Sequence, residues 1–297
     1  MKFSIKAGSA EKINTGCVVV VVSSKGTLGD EAKLCDKVSG KSISKIIRSG
    51  DFSGKLGETQ LIHNPTGITA KRLLLLGSGD ARKLNSRNSA KMFRAGINVL
   101  QKSNATSAHF AIASLKVSDR DANWIASRLA QESEDCSYRF DATKSAKIKA
   151  LAIKNISLAA ITGSRRKELV AELKAGQAIG KAINHAKQLG NLPGNVCTPS
   201  YLAKEAQDLS KKHRSLNTQI LGEKQMARLR MGSLLSVSAG SVEEAKFIII
   251  SHKGAKSDNR PHVLVGKGIT FDTGGISLKG GAGMDEMKFD MCGAGSV

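Results

Sequence analysis

Three observations predict an α/β fold with two domains. Short apolar runs alternate with helical patterns through the first half of the chain, which is typical of βαβ units and a mostly parallel sheet. One long helical pattern follows and ends at a turn-rich break. Beyond the break, strand and helix patterns alternate again. We therefore expect an N-terminal α/β domain at residues 1–163, a linker helix at 164–190, and a second α/β domain with a mixed sheet from residue 191 to 297.

The N-terminal domain contains four predicted strands and three predicted helices. The first strand is a β-branched run, which is typical of a buried strand. The helices have apolar residues at helical spacing. The predicted strands are Cys17–Val22, Thr59–His63, Arg72–Leu76 and Ala108–Leu115, and the predicted helices are Glu31–Ile47, Arg87–Gln101 and Arg120–Gln131.

One stretch inside the first predicted helix, Ser39–Ser42, resembles the end of a phosphate-binding loop. Such a loop requires a glycine at the position that Cys35 occupies. The stretch also lies within a helical pattern, so we predict helix here and no nucleotide site.

The linker helix is predicted from apolar and small residues that recur at helical spacing and end at Gly190. The next helix begins with Thr198 as its N-cap and Pro199 at its first position, and it extends to about Lys212. The later patterns predict strands at Thr218–Leu221, Lys246–Ser251 and Pro261–Gly266 and a helix at Glu223–Leu229.

The charge of the chain is its unusual feature. There are 46 Lys+Arg residues against 25 Asp+Glu residues, which gives a net charge of +21. This surplus indicates an acidic partner such as DNA, or a soluble protein whose lysines are solvated. Aromatic residues make up only 4% of the chain, so platforms for base stacking are few. We therefore expect DNA to be a secondary partner, and a basic DNA-binding or architectural protein remains an alternative.

The cysteines and the hydropathy pattern indicate a cytoplasmic protein without a membrane segment. The five cysteines are scattered and form no CxxC pair, which fits a reducing compartment. No apolar run approaches the ~20 residues of a membrane span, and the short run near the N-terminus lacks the features of a signal peptide.

The final stretch of the chain sets Lys267, Asp272, Lys279 and Asp290 among glycines, directly after a predicted strand. Ligand sites in open α/β sheets lie at the carboxyl ends of strands. Each aspartate alone could be a cap or a solvated charge, and a lysine beside carboxylates is usually an ion pair. Lys267 could instead bind a metal as the neutral amine. A protonated Lys279 could stabilise a developing oxyanion.

These residues resemble the signature of the leucyl (cytosol) aminopeptidases, the two-metal exopeptidases. That signature runs G-K-G-[IV]-T-F-D-[ST]-G-G-[IL]-S-[IL]-K, followed by M-D-x-M-[KR]-x-D-M-x-G-A. The chain matches it from Gly266 to Lys279 and from Met284 to Ala294. Two departures are Gly280 in place of a frequent proline and Gly295 in place of a frequent alanine.

Earlier segments are similar to other elements of the same family. Asn191–Pro199 resembles its N-x-P-x-N-x-x-T-P element at the start of the catalytic domain. Met231–Leu235, followed by Gly240 and Ser241, is similar to its M-G-x-[LF]-L…G-S element, and Tyr138–Phe140 resembles its Y-x-F motif. The resemblance implies that the second domain is the catalytic domain.

The resemblance implies a role for each matching position. Lys267 and Asp290 would bind the tighter-held metal, and Asp272 would bridge two metals. Lys279 would be the electrophilic lysine, and Met287 would line the pocket for the first side chain of the substrate. Two divalent ions, zinc or manganese, would activate water and bind the free α-amine of the peptide. The family implies a preference for leucine-like N-terminal residues and a homohexamer when full length.

The resemblance also predicts that this chain is a fragment. In the family, two further acidic ligands and an arginine lie downstream in an N-T-D-A-E-G-R motif, which this sequence does not contain. We therefore expect an incomplete catalytic domain whose own activity is doubtful. A non-catalytic remnant is the remaining alternative.

Overall fold

The chain forms two compact units. In a computed structural model, residues 1–146, 148–254 and 260–297 are described. The first unit comprises Met1–Arg139 with Ala146–Asn184, and the second comprises Phe140–Ser145 with His185–Val297. Each unit is built from both helices and strands, which confirms the predicted α/β class.

The first unit is organised around a seven-stranded sheet. Five of its strands, β1, β7, β6, β2 and β5 in spatial order, run parallel, while β4 and β3 pair antiparallel with β5 and β2. The strands are β1 (Lys2–Lys6), β2 (Cys17–Ser23), β3 (Thr27–Leu28), β4 (Thr59–His63), β5 (Arg72–Gly77), β6 (Ser107–Ala111) and β7 (Asn155–Ala159). The helices are α1 (Asp30–Val38), α2 (Ser42–Ser49), α3 (Ser86–Lys102), α4 (Trp124–Ser137) and α5 (Arg166–Asn191), of which residues 166–184 belong to this unit.

The sheet of the first unit has an apolar core on each face. Side chains alternate along β2, so Cys17 and Val19 join one core while Val18 and Val20 join the other. The first core contains Phe93 and Phe110, whose rings meet edge to face with centroids 6.1 Å apart. Burial on both faces explains why β2 is a continuous β-branched run.

Most elements of this unit match the sequence-based prediction, and the differences have local causes. The predicted strand Ala108–Leu115 ends at Ala111, and the Leu115 amide donates to the Ile112 carbonyl in a turn. The helix predicted from Arg120 begins only at Trp124, where the Asp121 carboxylate accepts the Trp124 amide at 3.0 Å. The two strands β1 and β7, each five residues long, were not predicted.

The single helix predicted from Glu31 to Ile47 is wrong, because the chain forms α1 and α2 with a break between them. Gly40 and Lys41 have left-handed backbone conformations, with φ of 64° and 59°. The buried carboxylate of Asp36 accepts both the amide and the hydroxyl of Ser44, at 2.8 and 2.6 Å. Asp36 therefore stabilises the first turn of α2, as a capping residue does.

The second unit contains a smaller sheet and short helices. Strands β8 (Leu216–Leu221) and β9 (Phe247–His252) pair antiparallel. The remaining elements are α6 (Pro199–Lys212), α7 (Glu223–Arg228), α8 (Gly232–Ser238), a 3₁₀ helix at Met284–Met291 and α9 (Cys292–Ser296). The Thr198 hydroxyl accepts the Tyr201 amide at 3.2 Å, which confirms the predicted N-cap of α6. Two small apolar clusters, centred on Leu202 and Met226, form the core of this unit.

The strand predicted at Pro261–Gly266 is wrong, because the described residues 260–266 form no strand. A strand requires a backbone partner, and β9 is the only described strand that pairs with β8. The side chains of Val263, Leu264 and Val265 remain 76%, 75% and 89% exposed. The segment has the sequence pattern of a strand, but no strand in the described ranges pairs with it. None of the described helices combines the length and the apolar character that crossing a membrane requires.

A buried histidine in β6 predicts a pH dependence of stability. His109 is fully buried, its Nδ1 lies 3.0 Å from the Ser157 hydroxyl, and its Nε2 has no hydrogen-bond partner among the described residues. Burial, with a smaller contribution from the charge of Lys6, lowers the pKa of His109 from 6.5 to about 4. The folded chain therefore keeps His109 neutral at pH values at which the unfolded chain protonates it.

We expect the free energy of unfolding to fall by about 2 kcal/mol between pH 6.5 and 5 on account of His109. The loss begins below the unfolded pKa and is complete at the folded pKa. Urea unfolding at pH 7.5 and 5 checks this, with His109→Gln expected to reduce the pH dependence. His63→Gln, which alters an exposed histidine, is the matched control. Equal pH dependence in wild type and His109→Gln would contradict the assignment.

Candidate functional site

The four charged residues that the sequence singled out lie together in the second unit as two ion pairs. The loop after residue 266 carries Lys267, Asp272 and Lys279, and the 3₁₀ helix carries Asp290. Lys267 pairs with Asp290, and Lys279 pairs with Asp272. The structure therefore brings all four predicted residues into one region, with one lysine beside each carboxylate.

Of the two carboxylates, that of Asp290, which pairs with Lys267, is the less exposed. Lys267 Nζ lies 2.9 Å from Asp290 Oδ1, and the Asp290 side chain is 21% exposed. This hydrogen bond raises the pKa of Lys267, so the lysine is a protonated ammonium in this arrangement. Asp290 Oδ2 is buried and has no hydrogen-bond partner among the described residues. A buried carboxylate oxygen without a partner is an unsatisfied acceptor and attracts a cation.

The Asp272 carboxylate has both of its oxygens bound. Oδ2 accepts from Lys279 Nζ at 3.0 Å, and Oδ1 accepts the Gly274 amide at 2.8 Å. The hydrogen bond from Lys279 and then the one from Gly274 lower the pKa of Asp272. Asp272 is therefore ionised near neutral pH and carries the charge that a cation site requires.

Met287 lies beside the same lysine. Its Sδ atom is 3.2 Å from Lys279 Nζ. Met287 and Asp290 are three residues apart, and in a 3₁₀ helix residues at this spacing lie on the same side. The family resemblance implies a place for Met287 in the substrate pocket, and the contact of Met287 with Lys279 was not predicted.

Glycines allow the backbone to approach closely around these pairs. A Cβ atom on Gly266 would lie 2.4 Å from the Gly293 carbonyl oxygen, and the Ala294 amide donates to the Lys267 carbonyl at 2.7 Å. Gly274 has φ of 98°, and a Cβ there would lie 2.4 Å from the Ser277 carbonyl oxygen. The sequence showed that this stretch is rich in glycine. It did not show that Gly266 lies against Gly293, because the two glycines are far apart in the chain.

The donor set fits a divalent cation in part. Carboxylate oxygens and a neutral amine are suitable ligands for zinc or manganese. The unpartnered Asp290 Oδ2 leaves one such carboxylate oxygen available. No group of three or more His, Cys, Asp or Glu residues that could hold a metal occurs within residues 1–146, 148–254 and 260–297. Lys267 would therefore have to act as a ligand, which requires the loss of its proton.

Two family models match successive parts of the chain. The model described as the cytosol aminopeptidase family, N-terminal domain, matches residues 18–147. The model described as the catalytic domain of the same family matches residues 184–297, which contain all four candidate residues.

Individual relatives agree with these matches. A probable cytosol aminopeptidase of Methylobacillus flagellatus is 43% identical over the whole chain, and the cytosol aminopeptidase of Pseudomonas aeruginosa is 41% identical. The chain spans 60% of the length of each of these two proteins.

Solved structures with low sequence identity share the fold. A mutant of tomato leucine aminopeptidase matches with a TM-score of 0.81 and 21% identity, over 99% of this chain and 57% of that chain. The bottromycin maturation enzyme BotP in complex with Mn matches with a TM-score of 0.70 and 22% identity, over 95% of this chain and 54% of that chain. The family models and the relatives match along the length of the chain, which therefore belongs to the cytosol aminopeptidase family.

Proposed function

We propose that this chain carries part of the catalytic site of a metalloaminopeptidase that releases N-terminal residues from peptides by two-metal hydrolysis. The observation that supports this most strongly is the meeting of Lys267, Asp272, Lys279 and Asp290 in two ion pairs. Family membership favours the same chemistry. The proposal also divides the chain into an N-terminal domain at 1–163, a linker helix at 164–190 and part of the catalytic domain at 191–297.

Each residue has a proposed role. Lys267 and Asp290 would hold the tighter-bound cation, and Asp272 would bridge two cations. When bound, the two cations would supply the Lewis acidity that activates water and polarises the peptide carbonyl. Lys279 would remain protonated and donate hydrogen bonds to the developing oxyanion. Met287 would contact the first side chain of the peptide.

The finer features follow from the relatives' names and from the resemblance. The relatives named cytosol aminopeptidase favour a cytoplasmic enzyme, and the neighbour named leucine aminopeptidase favours leucine-like N-terminal residues. The neighbour in complex with Mn supports manganese, with zinc as the other candidate. The family resemblance supports a homohexamer of the full-length protein.

Metal content tests the proposed ligand roles. We define the chimera as residues 1–297 joined to the C-terminal two-fifths of the Pseudomonas aeruginosa relative. In the chimera, Asp272→Ala should lose both ions, because a bridging carboxylate holds each of them. Asp290→Ala should lose chiefly the tighter one. Elemental analysis of the purified variants measures both results.

Asp285→Ala provides the matched control, because Asp285 is an exposed carboxylate on the same 3₁₀ helix. It should retain both ions. Circular dichroism establishes that each variant is folded. A wild-type metal content in Asp272→Ala would contradict the bridging role.

The net charge of +21 favours DNA as a secondary partner. Binding through phosphate contacts would weaken steeply with salt, since counterions are released on binding. Absence of duplex DNA binding at low salt would remove this candidate.

A further inference from the structure

The two carboxylates of the site differ in how many oxygens are available. Asp272 has both oxygens bound, one by the Gly274 amide at 2.8 Å and one by Lys279 Nζ at 3.0 Å. Asp290 has one oxygen bound by Lys267 and one without a partner among the described residues. A cation can therefore reach Asp290 Oδ2 without displacing a protein group. At Asp272 it meets the Lys279 ammonium first.

Lys279 and a cation compete for Asp272 Oδ2. The oxygen has two lone pairs, but the ammonium and the cation are both positive, and at contact distance they repel each other. Removing the charge of Lys279 should raise the affinity for the cation only moderately. Solvent screens the interaction, because the side chains of Lys279 and Asp272 are 39% and 31% exposed.

A second contact determines where the lysine would go. Lys279 Nζ already lies 3.2 Å from Met287 Sδ, and a thioether sulfur is a weak acceptor. An ammonium released from Asp272 would keep this neighbour and still have protons to donate. It could therefore donate to a substrate carbonyl without leaving the site.

Building on the proposed function, we propose that Lys279 is an internal competitor for the cation at Asp272. Binding of the cation releases Lys279 from the carboxylate, and only the released ammonium is available to the substrate. Binding of the cation at Asp272 and release of the Lys279 ammonium toward the substrate are thus coupled. Lys279 also sets how tightly the Asp272 position holds its cation.

The test is Mn²⁺ binding to the chimera, measured from the electron paramagnetic resonance signal of free Mn²⁺. Lys279→Gln removes the competing charge and should bind Mn²⁺ about tenfold more tightly than wild type. Lys279→Arg keeps the charge and should stay near wild type. Lys288→Gln is the matched control, because it removes the same charge from a lysine whose ammonium lies over the Phe289 ring.

An Asp272→Asn background shows where the gain arises. The effect of Lys279→Gln should disappear in this background, because the contested carboxylate is gone. A gain that persists there, or equal Mn²⁺ affinity in wild type and Lys279→Gln, would overturn the competition and leave the proposed metal chemistry standing. Failure of every variant to bind Mn²⁺ would contradict both.

Discussion

Replacing Lys279 by alanine in the chimera should lower kcat by about 10²–10³-fold while both metal ions are retained. The ammonium of Lys279 is proposed to stabilise charge that develops on the peptide carbonyl in the transition state. Such an interaction acts on turnover and contributes little to substrate binding, so KM should change less than kcat. Hydrolysis of a leucine anilide, measured together with elemental analysis, separates turnover from metal loss.

Lys288→Ala is the control for this prediction, because it removes a lysine from the neighbouring 3₁₀ helix and should keep normal turnover. Loss of metal in Lys279→Ala would show that Lys279 acts as a ligand. Near-normal turnover would show that it is a solvated lysine whose pairing with Asp272 has no catalytic consequence.

The sequence predicted the elements whose pattern is strong and local. The β-branched run of β2 and the N-cap of α6 at Thr198 were both recognised from neighbouring residues alone. Long helices such as α3 and α5 were placed to within two residues, because their apolar periodicity extends over several turns.

The sequence failed where the outcome depends on a distant or unusual partner. The break between α1 and α2 depends on Asp36, a carboxylate that binds Ser44 eight residues later. The segment Pro261–Gly266 has the composition of a strand, but its state depends on whether a second strand is available. Local pattern contains no information about either partner.

The candidate site shows the same division. The identities and spacing of Lys267, Asp272, Lys279 and Asp290 were evident from the sequence. Which lysine pairs with which carboxylate was not, because the pairing depends on how the glycine-rich loop folds. The oxygen of Asp290 that has no partner among the described residues was likewise visible only in the structure.

The 297-residue chain alone should show no metal-dependent peptide hydrolysis, whereas the chimera should be active. Lys267, Asp272 and Asp290 offer two carboxylates and one amine, and a zinc ion alone takes about four ligands. No cluster of three or more acidic, histidine or cysteine residues elsewhere in the described ranges could supply the rest. These donors can hold one cation weakly, but two-metal chemistry requires more.

The 297-residue chain and the chimera should also differ in self-association, because Val263, Leu264 and Val265 are exposed in the 297-residue chain. They leave an apolar segment open to solvent, and such segments promote self-association. Size-exclusion chromatography should therefore show the 297-residue chain as aggregated and the chimera as a defined species. Both are assayed on a leucine anilide with added manganese or zinc. Metal-dependent turnover by a monodisperse 297-residue chain would contradict the prediction, because three donors would then suffice for the reaction.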